Sequence, residues 1–169
     1  MAFKFFIMKT YLLLGSNVGE KEKNLSEAIR LINEAFKDLI NEPVDLSSVY
    51  ETEPWGFESD EKFLNQAVIL DTDIDPELIM RMCLIIEKQV GRVRYGMNFD
   101  EEGKRIYESR VIDIDMMLYG DRIIDTEFLK IPHPRLHERE FALLPLVEIA
   151  PDAVHPILKK TVKELLQSI

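Results

Sequence analysis

Residues 109–120 read SRVIDIDMMLYG. Apolar and partly β-branched side chains dominate this stretch, a pattern typical of a buried β-strand. Asp113 and Asp115 interrupt it two residues apart, and side chains at that spacing point to the same face of a strand. The sequence therefore predicts two neighbouring carboxylates on one face of a sheet, where their mutual repulsion disfavours joint ionisation.

Two interpretations of this aspartate pair are open. A hard cation such as Mg²⁺ takes oxygen ligands and is commonly held by one or two carboxylates together with substrate phosphates. Alternatively, this face of the sheet is solvated and the pair is ordinary surface charge. The surroundings favour the metal–phosphate interpretation, because basic side chains flank the pair on both sides in an otherwise acidic chain: Arg92, Arg94, Lys104, Arg105 and Arg110 before it, and His133, Arg135, His137 and Arg139 after it.

The hydrophobic pattern outward from this strand predicts an α+β fold of order β-α-β-β-α-β. Residues 10–14, 44–52, 63–70 and 111–118 are predicted as strands, residues 24–39 as a helix, and a second helix begins at Asp75-Pro76 and ends before Gly91. This order matches the ferredoxin-like βαββαβ core, an antiparallel sheet with its helices on one face. The first and fourth strands are expected at its centre.

Two short segments suggest helix N-termini with capping boxes, in which a polar residue is followed by Glu three positions later. Asn24 with Glu27 is expected to begin the first helix, and Thr161 with Glu164 a last short helix that ends near residue 166. Residues 141–151, FALLPLVEIAP, are predicted as a short helix or coil. These C-terminal additions follow the ferredoxin-like core.

The composition indicates one domain covering residues 1–169, since 46% of 169 residues are hydrophobic. A net charge of −10 argues against nucleic acid as a partner, because phosphate-backbone binding needs a basic footprint.

The single cysteine, Cys83, suits a reducing cytosol, and no stretch is long enough to span a membrane, so a cytoplasmic location is expected. Residues 1–9 are interpreted as a short leader rather than a signal peptide.

Several motifs, taken in order, carry a resemblance that covers nearly the whole chain from Thr10 to about Leu166: LLLGSNVG, SSVYETEPWGF, FLNQAVIL, IEKQVGRVR, SRVIDIDMMLYG and IPHPRLHEREFALLPLVEIAP. In this order and spacing they resemble the 6-hydroxymethyl-7,8-dihydropterin pyrophosphokinases of folate biosynthesis. The resemblance implies transfer of pyrophosphate from ATP to the hydroxymethyl group of the pterin, with release of AMP.

By this resemblance, Asp113 and Asp115 would hold two Mg²⁺ ions that bridge the ATP phosphates. Arg92 and Arg110 match the catalytic arginines of the family. The other residues assigned to ATP by resemblance are Glu87, Arg94, His133 and Arg139.

For the pterin, the resemblance implies that Asn65 reads the ring edge together with the segment around Thr52 and Trp55. Aromatic stacking is assigned to Phe141 and, with core packing as an equal alternative, to Phe63. The family usually has R-W-G-P-R before the aspartates, whereas residues 106–110 here read IYESR, so that Tyr107 stands in place of the stacking Trp. The segment 95–109 is longer than in common members and is expected to act as a lid.

Two other function classes compete with this interpretation. A different Mg²⁺-dependent nucleotidyltransferase or phosphohydrolase would also use paired aspartates, but without a pterin. A non-enzymatic ferredoxin-like binding module would need no metal. Small-molecule substrates, no membrane or nucleic-acid partner and a monomeric chain are expected.

Overall fold

A computed structural model describes residues 7–40, 42, 44–56, 59–93, 102 and 109–169. Its main sheet contains five antiparallel strands. They are β1 (Met8–Ser16), β2 (Asp45–Leu46), β3 (Tyr50–Thr52), β4 (Phe63–Thr72) and β5 (Asp113–Tyr119). A separate two-stranded ribbon pairs β6 (Ile124–Asp125) with β7 (Lys130–Ile131). The α+β class and the antiparallel sheet are therefore confirmed, while the strand predicted over residues 44–52 is divided into β2 and β3.

The strand order is β2-β4-β1-β5, and β3 also pairs with β4. The central strands are therefore β1 and β4, and the expectation that the aspartate strand would be central was wrong. The two strands joined by each β-α-β crossover are separated by one strand position. In the first crossover, from β1 to β2, strand β4 lies between them. In the second, from β4 to β5, strand β1 lies between them. Among the described residues, β5 has a strand neighbour only on its β1 side, which places Asp113 and Asp115 at the sheet edge.

Helix α1 (Lys21–Phe36) and helix α2 (Pro76–Val90) follow β1 and β4. The predicted ends of α2 are confirmed: the Asp75 carboxylate accepts hydrogen bonds from the backbone N–H groups of Glu77 and Leu78, and Gly91 has a φ of +119°. That left-handed backbone conformation favours glycine because a Cβ atom would be strained there.

The capping box predicted at Asn24 was wrong. Helix α1 begins three residues earlier, with Glu20 as its N-cap and without a side-chain capping bond. The Asn24 amide instead donates hydrogen bonds to Ser16 Oγ (3.2 Å) and to the carbonyl oxygen of Val18 (2.9 Å). Asn24 thus ties the first helix to the turn that follows β1, a contact that local spacing does not reveal.

The sheet is covered on both faces. Helices α1 and α2 pack on the face that carries Leu12, Leu14 and Val68, as expected for the core motif. The opposite face, with Tyr11 and Leu13, is covered by a C-terminal layer of helix α3 (Glu140–Ile149) and helix α4 (Val162–Leu166). Beyond the edge of this second layer, part of the sheet remains open and forms a cleft.

The C-terminal layer is held by local bonds that the sequence partly predicted. Thr161 and Glu164 form the expected capping box, with the Thr161 hydroxyl accepting from the Glu164 N–H at 3.1 Å. The segment 141–151 is mostly helical, because α3 continues through Pro145. A single turn of 3₁₀-helix, Leu136–Glu138, precedes α3 and is followed by Arg139, which lines the cleft.

Candidate active site

The cleft floor is set by the register of the three strands β4, β1 and β5. Gly15 on β1 lies opposite Asn65 on β4 and opposite Asp113 on β5. Leu13, two residues earlier, lies opposite Asp115. Directly opposed residues share a face of the sheet, so the amide and both carboxylates point into the same cleft.

Gly15 lies in close approach to the side chain of Asn65. A Cβ atom on Gly15 would lie 3.2 Å from Asn65 Oδ1 and 3.8 Å from Phe63 Cδ1. The absence of a side chain therefore leaves room on the floor between the amide side and the carboxylate side of the cleft.

The described part of the cleft gathers most of the residues singled out from the sequence. Glu87, in contrast, lies outside the lining, and Arg94 and Tyr107 belong to the undescribed part of the chain. The lining residues are Leu13, Gly15, Thr52, Glu53, Trp55, Phe63, Asn65, Arg92, Arg110, Asp113, Asp115, His133, Arg139 and Phe141. The sequence motifs did not identify Leu13, Gly15 and Glu53 as site residues, although all three lie within the quoted segments LLLGSNVG and SSVYETEPWGF.

Asp113 is the centre of an arginine cluster. Arg92 Nη1 donates a hydrogen bond to one carboxylate oxygen, and Arg110 Nη1 donates to the other at 2.5 Å. These charge-assisted bonds satisfy both oxygens of Asp113 and fix its orientation. The same cluster places two guanidinium groups beside the cleft, where they match the charge of phosphate oxygens.

Asp115 has a different environment. Its Oδ2 lies 3.9 Å from Arg139 Nη1, a longer separation than either arginine contact of Asp113. Burial in the cleft floor, followed by the neighbouring negative charge of Asp113, raises the pKa of Asp115 to about 7. A cation bound in the cleft would favour the ionised carboxylate and offset this repulsion.

Two carboxylates of the cleft are candidate ligands for Mg²⁺. Within residues 7–40, 42, 44–56, 59–93, 102 and 109–169, no three metal-ligating side chains form a cluster. Asp113 and Asp115 share the cleft face, and Mg²⁺ typically uses one or two carboxylates while phosphates and water complete its coordination. The two carboxylates therefore fit the ion expected from the sequence.

A second basic group lies on the segment before α3. The backbone N–H of His133 donates to the Met117 carbonyl oxygen at 2.9 Å, which ties this segment to β5. Arg139 is buried, and its Nη1 lies 3.4 Å from His133 Nε2. Together with the 3.9 Å separation from Asp115, these contacts bring His133 and Arg139 to the carboxylate side of the cleft.

The other side of the cleft is polar at its base and aromatic at its wall. Asn65 is 2% exposed, and its amide donates a hydrogen bond of 2.7 Å to Thr52 Oγ1. The rings of Trp55 and Phe141 lie with centroids 6.1 Å apart at an angle of 56°. Flat heteroaromatic ligands are bound by this combination of aromatic surface and a few oriented polar groups.

Glu87 lies behind β5 and not in the cleft. Its side chain is 1% exposed, accepts a hydrogen bond from the Ile114 N–H at 2.8 Å, and lies 3.0 Å from Arg92 Nη1. These contacts support the positions of Asp113 and Arg92 from outside the cleft.

With this geometry established, comparison with known proteins identifies the family. The family model of 7,8-dihydro-6-hydroxymethylpterin-pyrophosphokinase (HPPK) matches residues 11–151. The chain belongs to the HPPK family. It is accordingly an ATP-using pyrophosphokinase of folate biosynthesis.

Two relatives named 2-amino-4-hydroxy-6-hydroxymethyldihydropteridine pyrophosphokinase illustrate the similarity. The protein from Aquifex aeolicus (strain VF5) is 40% identical over 154 residues, covering 91% of this chain and 88% of the relative. The protein from Methylorubrum extorquens (strain ATCC 14718 / DSM 1338 / JCM 2805 / NCIMB 9133 / AM1) is 38% identical over 161 residues, covering 95% of this chain and 93% of the relative.

The fold is also found in a solved HPPK structure. Wild-type Plasmodium falciparum HPPK-DHPS with pteroate matches with a TM-score of 0.68 at 15% sequence identity. The match covers 96% of this chain and 44% of that one, so the chain spans less than half the length of the solved protein. At this identity, the match supports the fold alone.

Among the described residues, no helix has the length and apolar composition needed to cross a membrane.

Proposed function

We propose that this HPPK-family chain performs pyrophosphate transfer in the described cleft, with ATP phosphates at the Asp113 and Asp115 side and the pterin at the Asn65 side. One observation carries the assignment: Gly15 lies opposite both Asn65 and Asp113 on its two neighbouring strands. A phosphate-binding half and a ring-binding half therefore meet on one floor, at a separation set by the sheet.

The reaction joins the pterin hydroxymethyl oxygen to the β-phosphorus of ATP. The bond between the β-phosphorus and the oxygen that bridges to the α-phosphorus breaks, AMP leaves, and the hydroxyl proton is released. The protein has no covalent step to perform, so its contribution is positioning and stabilisation of phosphate charge.

Asp113 and Asp115 are the residues that would hold Mg²⁺. When bound, Mg²⁺ supplies charge neutralisation and orientation of the phosphate oxygens. Asp113 also holds Arg92 and Arg110 in place through its two carboxylate oxygens. We assign to these arginines the stabilisation of charge on the transferred group, because planar guanidinium groups bind phosphate oxygens bidentately.

His133 and Arg139 are assigned to the ATP side because both line the cleft near Asp115. Glu87 is assigned an indirect role behind β5, in place of the direct ATP contact expected from the sequence. Arg94 as an ATP ligand, Tyr107 as a pterin-stacking residue and segment 95–109 as a lid remain predictions.

For the pterin, Asn65 and Thr52 supply the polar groups that read the ring edge. Phe141, Phe63 and Trp55 supply the aromatic surface of the slot. We further propose a single domain over residues 1–169, a monomeric state and a cytoplasmic location, with ATP and the pterin as the partners.

Product analysis tests this proposal. ATP is incubated with the protein, with and without 6-hydroxymethyl-7,8-dihydropterin, in Mg²⁺ and again in EDTA. AMP that forms only with pterin and Mg²⁺, in step with pyrophosphorylated pterin, is the expected result. ADP, free diphosphate or AMP formed without pterin would instead favour a nucleotidyltransferase or phosphohydrolase, and no turnover of ATP would favour a binding module.

Asp115→Asn and Asp121→Asn make a matched pair for this assay. Both remove one carboxylate, but Asp121 lies on an exposed turn after β5. Asp115→Asn is expected to lower kcat by roughly 10²–10³-fold, the order associated with loss of one transition-state charge contact. Asp121→Asn is expected to retain wild-type kcat, and equal effects of both substitutions would contradict the assignment.

A further inference from the structure

The wall of the cleft contains a cation–π contact that neither the sequence motifs nor the family assignment explains. The guanidinium carbon of Arg135 lies 4.1 Å from the ring centroid of Trp55. Arg135 itself is exposed, pairs with Glu138 at 2.9 Å, and does not belong to the described lining of the cleft. Trp55, in contrast, does line it.

Trp55 lies on the connection between β3 and β4, just beyond the end of the β3–β4 pairing at Thr52. Its indole contacts the segment before α3 and the start of that helix, which come from a distant part of the chain. These contacts join the β3–β4 connection to the C-terminal layer across the mouth of the cleft.

Arg139 also lies over the indole, at 5.0 Å, but it has further contacts within the site. It lies 5.6 Å from the Phe141 ring centroid and 3.9 Å from Asp115. Arg135 has the closer contact with the indole, forms an ion pair with Glu138, and does not belong to the described lining of the cleft. Arg135 can therefore be changed without removing a group that lines the cleft.

We propose that Arg135 is a positioning residue for the pterin half of the site: its cation–π contact holds Trp55 so that the indole forms one wall of the pterin slot beside Phe141. A cation over an aromatic face is attracted by the ring quadrupole, and indole is the strongest such partner among the side chains. The inference rests on the proposed function, since it takes the flat heteroaromatic substrate to bind at this wall.

Arg135→Gln tests the contact, and Arg81→Gln is its matched control. Arg81 makes the same kind of contact, 4.4 Å from the Phe128 ring centroid, but on α2 and outside the cleft lining. Trp55 is the single tryptophan of the sequence, so tryptophan fluorescence of the ligand-free protein reports on this side chain alone. Arg135→Gln is expected to shift the emission to longer wavelength and increase acrylamide quenching, whereas Arg81→Gln leaves both unchanged.

Binding and turnover provide the second readout. Arg135→Gln is expected to raise the pterin KM by roughly two- to fivefold, as loss of a partly exposed cation–π contact allows, with kcat and the ATP KM unchanged. Arg135→Lys is expected to restore part of the pterin affinity. Glu138→Gln removes the ion pair but keeps the contact, and is expected to resemble wild type.

A Trp55→Leu background separates positioning from general destabilisation. In that background, Arg135→Gln is expected to add no further increase in pterin KM. An equal increase in both backgrounds, unchanged fluorescence, or a similar loss of ATP affinity would overturn the inference.

If wild-type protein binds no pterin and forms no AMP, the proposed function fails as well. If wild type binds pterin and Arg135→Gln does so equally, only the inference fails.

Discussion

The carboxylate of Glu87 accepts a hydrogen bond of 2.8 Å from the backbone N–H of Ile114, the residue between the two cleft aspartates. Ile114 belongs to the edge strand β5, and Glu87 satisfies a backbone donor on the side of that strand away from β1. The same carboxylate lies 3.0 Å from Arg92 Nη1. One buried side chain of α2 thus fixes both the strand that carries the aspartates and an arginine that binds Asp113.

Substitutions of Glu87 should separate these two contacts. Glu87→Gln retains an acceptor for the Ile114 N–H but removes the charge beside Arg92. The fractional loss of kcat is therefore expected to exceed the fractional loss of the free energy of unfolding. Glu87→Ala leaves the buried N–H without its partner and is expected to lower the free energy of unfolding by about 2–4 kcal/mol. Urea unfolding and steady-state kinetics on both variants measure the two effects.

Glu77→Gln serves as the control, because Glu77 is in the first turn of the same helix and accepts an exposed hydrogen bond of 3.0 Å from Thr126 Oγ1. It should retain both stability and kcat within experimental error. If Glu87→Gln behaved like this control in turnover, the role of Glu87 in holding Arg92 would be refuted.

Gly15→Ala should affect the pterin half of the cleft. The added methyl group would lie 3.2 Å from Asn65 Oδ1, closer than ordinary van der Waals contact, and would push the amide away from the ring edge. The pterin KM is expected to rise roughly tenfold, which corresponds to about 1.4 kcal/mol of binding free energy. Steady-state kinetics with pterin as the varied substrate measure the change.

Ser26→Ala is the control, because it changes one small group at an exposed position of α1. Its pterin KM should equal that of wild type. A Gly15→Ala variant with an unchanged pterin KM would show that Asn65 can move without loss of recognition.

The raised pKa of Asp115 predicts a pH dependence of stability in the absence of metal. The folded protein retains this proton more tightly than the unfolded chain, so the contribution of Asp115 to the free energy of unfolding falls as pH rises from about 4 to the folded pKa of about 7. Asp115→Asn removes the titrating group. The variant should therefore gain stability relative to wild type across this window, on the order of 1–2 kcal/mol after allowing for solvent screening.

Urea unfolding in EDTA at both ends of the window checks this expectation, with Asp121→Asn again as the control. A stability difference between Asp115→Asn and wild type that does not change with pH would contradict it. Added Mg²⁺ should reduce the difference at the upper end, because a bound cation stabilises the ionised carboxylate.

His155 predicts a pH dependence of stability that is opposite in sign to that of Asp115. Burial, with a smaller effect from nearby His137, lowers the pKa of His155, and its Nδ1 accepts hydrogen bonds from the N–H groups of Ile157 and Leu158. The stability that neutral His155 contributes is present above the unfolded pKa of about 6.5 and is lost as pH falls through the lowered folded pKa. His155→Asn, which keeps an acceptor oxygen but does not titrate, should lose less stability on acidification.

Thermal unfolding of wild type and His155→Asn above and below this window measures the difference. Parallel loss of stability in the two proteins on acidification would exclude His155 as the group responsible. The cleft residues are untouched by this substitution, so pterin and ATP KM values should remain those of wild type near neutral pH.

The sequence alone determined the element order and the shared face of Asp113 and Asp115, because strand periodicity and helix-end signals act over a few residues. The Asp75 cap, the Gly91 terminus and the Thr161 capping box were all predictable for that reason. The motif resemblance gathered most of the residues that line the cleft, although it missed Leu13, Gly15 and Glu53 and could not give the contacts.

Only the tertiary structure decided which strands are central, where Asn24 directs its amide and how the cleft is supported. The edge position of β5, the contact of Glu87 with Ile114 and the contact of Arg135 with Trp55 each join segments that are far apart in the chain. Such pairings depend on crossover connections and on packing of both sheet faces, which are properties of the whole fold. Local periodicity specifies which face a residue occupies, whereas the neighbours on that face are fixed only when the strands pair.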